Sequence, residues 1–132
     1  MTQEEKDLVL RDLSGRLPYG VKCQFEDNLR ITDGESSPFY DYALSAHHLG
    51  LFMRHSNFHI KPYLRPMSSM TEEEKKEYTL LANRTMVSSV GFIHFEANEL
   101  IDWLNKKMFD FQGLIPKGRA IEVNEENNPY EN

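Results

Sequence analysis

Cysteine is almost missing from this sequence: Cys23 is the only one. That excludes an internal disulfide and makes a reducing compartment the simpler setting. Long apolar runs are missing too, none nearing the roughly 20 residues that cross a bilayer, so no membrane contact is expected. The opening Met1-Thr2-Gln3-Glu4-Glu5-Lys6 is acidic and lacks the basic start and apolar stretch of a secretion signal. A cytoplasmic protein is the expectation, with Asn83-Arg84-Thr85 a chance sequon. Glycine comes singly, and no Walker loop, dinucleotide fingerprint, nucleophile elbow or HExxH is present. Basic residues are outnumbered: 15 Lys and Arg face 21 Asp and Glu, for a formal charge of −6. Affinity for phosphate backbones comes from Lys and Arg, which disfavours the chain as a general nucleic-acid ligand. A local basic strip remains possible, because residues 61–123 carry 9 charges of each sign and the deficit lies elsewhere.

What is present is an ordinary globular composition, 39% hydrophobic and 27% charged, at a length of 132 residues that suits one domain. Thr2 and Glu5 form a capping box, and Leu8, Val9, Leu13 and Leu17 fall near one stripe. A helix is predicted over about 3–15, stopped by Gly15 and Pro18. Val21-Lys22-Cys23-Gln24-Phe25 alternates with period two and reads as a strand with Val21, Cys23 and Phe25 inward. Leu29-Arg30-Ile31 resumes the alternation as a hairpin partner, before a loop over residues 33–38. Phe39 to Leu44 and Leu49 to Met53 suit two further strands, with a helix over 42–54 the open alternative. Ile60-Lys61-Pro62-Tyr63-Leu64-Arg65-Pro66 reads as an extended connector, because its prolines remove donors. Thr71 and Glu74 make a second capping box and open a helix over about 71–85. Val87 to Phe95 reads as a short strand or loop. Another helix follows over about 96–107, with Leu100, Ile101, Leu104 and Met108 as its stripe. Arg119 to Val123 closes as a strand.

Three stretches carry a resemblance. They are Arg16-Leu17-Pro18-Tyr19-Gly20-Val21-Lys22, the run from Ile60 to Tyr78, and Asp102-Trp103-Leu104-Asn105 with Phe109-Asp110-Phe111-Gln112-Gly113-Leu114-Ile115. Together they resemble a family of small proteins of gut bacterial genomes, often encoded beside phage or mobile-element genes. The resemblance implies an accessory protein of such an element and assigns no activity to any residue. Residues 26–59 fit the family least well. The resembled family usually has a basic residue where Gln112 stands; if that position serves an anionic partner in the family, the contact is lost here.

Four constellations bear on chemistry. His47, His48, His55 and His59 lie close in sequence, and His55 and His59 are four apart, as zinc ligands on one helix face would be. Solvated or packing histidines are the plainer reading, and a metal-assisted hydrolase built on them is the remote alternative. Cys23 reads as a buried, inert thiol. Lys61, Tyr63 and Arg65 place two cations and an aromatic on a stiff segment, and Tyr19 and Lys22 join them if the first strand packs alongside. Trp103, Phe109, Phe111, Leu114 and Ile115 read as core, with Trp103 and Phe111 the candidates for an exposed contact surface.

The fold expected is α+β: a small antiparallel sheet, mostly from residues 21–60, packed against about three helices. One domain spans 1–123, and 124–132 is a polar, disordered tail. No cofactor and no catalytic residue is assigned. The function expected is a non-enzymatic module that binds another protein through Tyr19, Lys22, Lys61, Tyr63, Arg65, Trp103 and Phe111. The alternative is a nucleic-acid-associated protein using the same strip.

Overall fold

Thr2 accepts the backbone N–H of Glu5 at 3.1 Å and so starts α1, Gln3–Arg16. Glu5 does not complete the box; its carboxylate turns to Arg119 at 2.6 Å instead, tying the helix start to the chain's far end. The helix runs through Gly15, where a Cβ would sit 2.8 Å from Asn105 Nδ2, so this glycine permits a close approach. The stop comes later: Leu17–Tyr19 tightens into a 3-10 turn and Gly20 takes φ +72°.

A computed structural model describes residues 1–29, 37–88 and 94–131, excepting the side chains of 85–98. The α+β class holds. Strands β1 (Lys22–Asp27), β2 (Phe39–Ala43), β3 (Phe58–Leu64) and β4 (Ile121–Glu122) form one mixed sheet in the order β2-β1-β3-β4. The first three are antiparallel neighbours, and the two-residue β4 adds a parallel edge. Alternation along β1 buries Cys23, Phe25 and Asp27 and leaves Lys22 outward. Helix α1 brings Val9 and Leu13 to this inner face, and α2 (Ala46–Arg54) brings Phe52, against Phe25, Phe58, Ile60 and Leu64. Each such side chain contributes about 1.5–3 kcal/mol on burial. Helices α3 (Glu72–Ser88) and α4 (His94–Lys106) pair with each other, and α4 packs on α1. No described helix is long and apolar enough to cross a membrane.

Two segments depart from the sequence reading. Leu49 to Met53 is helical, because Ser45 caps α2 and His48 completes the capping box, placing Phe52 on the sheet. The supposed connector is β3 itself, an inner strand despite Pro62. Pro62 stands opposite Cys23, and Cys23 directs its backbone groups to β2, so this pair exchanges no ladder bond. The proline nitrogen therefore faces away from β1, where β4 begins only opposite Tyr63. No donor is wanted there, and the strand keeps its proline. The hairpin partner expected at Leu29 to Ile31 lies mostly outside the described residues, as does the strand or loop expected between Val87 and Phe95. The ends of the latter, 87–88 and 94–95, belong to α3 and α4. The segment after Val123 does not run off into solvent: Tyr130 returns to the sheet, its hydroxyl 3.1 Å from the Lys22 nitrogen and 2.7 Å from the Tyr63 carbonyl.

Candidate functional site

The turn that ends α4 is where the distant parts of the chain meet. Phe109 N–H bonds the Leu104 carbonyl and Met108 N–H that of Asn105, the paired bonds of a Schellman stop. The left-handed position falls on Met108, φ +62°, where glycine is usual. Its buried side chain lies in the core and offsets a backbone cost of about 1–2 kcal/mol. Beyond it, Asp110 accepts the N–H groups of Leu114 and Ile115 at 2.8 and 2.9 Å and folds 110–115 into a compact turn.

Two arginines clamp this turn from opposite sides. Arg16, wholly buried, grips Asp12 through Nε and Nη2 and donates to the Phe109 carbonyl at 2.6 Å. Burial pushes the Asp12 carboxyl up while the Arg16 guanidinium pulls it down. On the other side, Arg65 continues β3: its N–H bonds the Met108 carbonyl, and its carbonyl accepts from Asp110. The Arg65 guanidinium lies 4.2 Å from the Phe109 ring centre and takes both oxygens of Glu74, at 2.8 and 2.7 Å. That guanidinium, with the Thr71 N–H at the start of α3, holds the Glu74 carboxyl at about 2.

Above this clamp opens a cleft of about 460 Å³, lined by Tyr19, Arg65, Glu74, Lys106, Lys107, Met108, Asn128, Tyr130 and Glu131. Its volume is in the range of ligand-binding clefts. Arg65 is occupied by Glu74, whereas Lys106 and Lys107 have no side-chain partner among the described residues. Tyr19 is exposed at the rim. Burial pushes the Tyr130 hydroxyl well above the ordinary tyrosine range. The cleft therefore offers two unpaired cations beside an aromatic surface, over a floor already neutralised.

The chain matches no family model, no curated protein and no solved structure. What the site can do thus rests on its residues.

The seven residues singled out in the sequence fall into three groups. Tyr19 and Arg65 line the cleft. Trp103 and Phe111 stand behind it: Trp103 stacks on Phe109 and donates to Glu77 at 2.8 Å, and Phe111 lies under Arg16. Lys22, Lys61 and Tyr63 share the sheet face opposite the core, with β1 alongside β3. Tyr63 crosses β1 to donate to Asp41 at 2.9 Å, while both lysines stay exposed. The four histidines scatter. His47 is exposed on α2, His48 is half-buried against Phe25 and Phe58, His55 ends α2, and His59 lies on β3. No group of three metal-ligating side chains forms among the described residues. Gln112 faces inward, 3.4 Å from Asp12, so a basic residue there would meet an internal carboxylate, not an outside anion.

Sequence reasoning missed Lys106, Lys107 and Tyr130, the groups that give the cleft its character. A tyrosine after Pro129 in an otherwise polar tail was the available signal. The buried pair was legible as well, since Asp12 and Arg16 sit four apart beside Val9 and Leu13.

Proposed function

We propose that the chain is a non-enzymatic protein-interaction module, an accessory protein of a phage or mobile element, that holds an acidic segment of its partner in this cleft. The observation that carries the reading is that Lys106 and Lys107, which have no side-chain partner among the described residues, line an open cleft together with Tyr19. A carboxylate-rich segment would gain charge-assisted hydrogen bonds from the lysines and apolar contact from the ring. The shifted groups in the cleft argue against proton-transfer catalysis: Glu74 is pinned as a carboxylate and Tyr130 as a phenol, far from neutrality in both directions.

The test is affinity capture from bacterial lysate, in nuclease-treated and untreated halves, with three forms of the tagged chain. Wild type and the α3 surface control Lys75→Glu/Lys76→Glu are expected to retain the same partner, and Lys106→Glu/Lys107→Glu to lose it. Retention by the last variant removes the cleft as the docking site. Loss of the partner on nuclease treatment alone moves the reading to nucleic acid.

A further inference from the structure

Strand β2 is the edge of the sheet among the described residues, and its five residues include neither proline nor lysine, with Asp41 its only charge. Its register with β1 sends the backbone groups of Tyr40 and Tyr42 inward, so those of Asp41 and Ala43 point out. Neither Asp41 nor Ala43 has a backbone partner among the described residues, while the Phe39 N–H is taken by Ser37 Oγ. Tyr42 is 67% exposed and Phe39 50%, high values for aromatic side chains in a strand.

We infer that this edge pairs antiparallel with β2 of a second copy, about a twofold axis through Tyr42. This interface is separate from the cleft and does not rest on the reading proposed for it. The choice of occupant comes from self-complementarity. A register centred on Asp41 would set two like carboxylates directly opposite each other, which is destabilising. Moving the axis to Tyr42 sets Asp41 opposite Ala43 of the other copy, and the two pairs exchange four backbone hydrogen bonds. The two exposed Tyr42 rings then meet as a close pair on one sheet face. On the other face Lys22, the neighbour of Ala43 on β1, has no ion-pair partner in its own chain among the described residues. Its ammonium reaches over the small Ala43 side chain to Asp41 of the second copy, roughly 10 Å away between Cα atoms by ladder spacings, where Oδ2 can accept it while Oδ1 keeps the hydroxyl of that copy's own Tyr63. Symmetry provides this lysine–aspartate contact twice. The result is a continuous eight-stranded sheet. A five-residue edge buries less than the roughly 1,000 Å² of a persistent interface, so the dimer should form near about 100 µM.

Sedimentation velocity and light scattering from about 10 µM to about 1 mM cover that range. Wild type is expected to pass from monomer to dimer. Lys22→Glu alone and Asp41→Lys alone each place like charges across the twofold and weaken association roughly tenfold. Mixed together, the two variants match opposite charges at both contacts and recover wild-type association, which a misfolded variant could not do. Tyr42→Lys, at an exposed position, is expected to stay monomeric while remaining folded. A wild type that stays monomeric throughout overturns the inference. So does dimerisation that ignores the charge variants, or single-variant defects that mixing does not repair.

Discussion

Arg16 is the largest fully buried side chain in the described structure, and its position decides how α1 is fixed to the rest of the fold. A buried ion pair is a poor source of stability in itself, because desolvating both groups offsets most of their attraction. Its importance shows when one partner is removed. With Arg16→Met, Asp12 stays in a fully buried site with Gln112 at 3.4 Å and the Asp110 charge nearby, and the Phe109 carbonyl keeps only the Phe111 N–H of its two donors. The expected loss is about 3–5 kcal/mol, a large part of a typical domain's stability. The paired variant Asp12→Leu/Arg16→Met removes both charges of the pair and should be clearly more stable than Arg16→Met alone. Urea unfolding of the three proteins measures this. A single-variant loss under about 1 kcal/mol would mean that water reaches Asp12 and that the clamp on 109–115 is not held this way.

At the scale of elements, α2 shows a device the sequence only half discloses. His48 stands three residues after Ser45 and accepts the Ser45 backbone N–H through Nδ1 at 3.1 Å, as Glu or Gln does in the usual capping box. That bond needs an unprotonated Nδ1, so the ring proton is on Nε2. Burial, with His47 adjacent, lowers the His48 pKa from its ordinary value. A group whose folded pKa is depressed contributes stability above its unfolded pKa and loses it as pH falls, here from about 6.5 downward. His48→Gln keeps an acceptor that does not titrate, and should flatten the stability profile between about pH 7 and 5 while losing ring contacts to Phe25 and Phe58. Urea unfolding of both proteins across that range gives the two slopes, and equal slopes would show that the cap does not respond to protonation. The contrast between legible and illegible elements has the same local origin. Helices α1 and α3 announced themselves because Thr2 and Thr71 cap locally, and β1 because its alternation is local. Strand β3 was hidden because Pro62 is excluded from inner strands only when its nitrogen must donate, and that depends on register with β1 and β4. The cleft was hidden because Tyr19, Lys106 and Tyr130 converge only through the clamp on Phe109, which no spacing reveals.

The whole molecule is closed by its last residues. Where Lys22 would meet Tyr63 in the β1–β3 ladder, the strands part and the Tyr130 hydroxyl sits between them, taking the Lys22 N–H and donating to the Tyr63 carbonyl. One phenol thus stands in for a missing ladder bond, walls the cleft beside Lys106 and joins the chain's final segment to its first strand. Tyr130→Phe keeps the ring and removes only this bridge, leaving a backbone donor and acceptor without their partner at a cost of about 1–3 kcal/mol. The pH dependence gives a second, independent signature. Burial raises the Tyr130 pKa, and burial with the Asp41 bond pushes Tyr63 up to about 12. A group whose folded pKa is raised contributes stability below its unfolded pKa, near 10 for tyrosine, and loses it as pH rises beyond that value. Wild type should therefore lose stability steeply above about pH 10, and Tyr130→Phe less steeply from a lower starting point. Urea unfolding at neutral and alkaline pH, with tyrosinate absorbance followed in parallel, separates the two effects. If Tyr130→Phe matches wild type in both, the last residues do not hold the ladder, and the cleft loses its fixed wall.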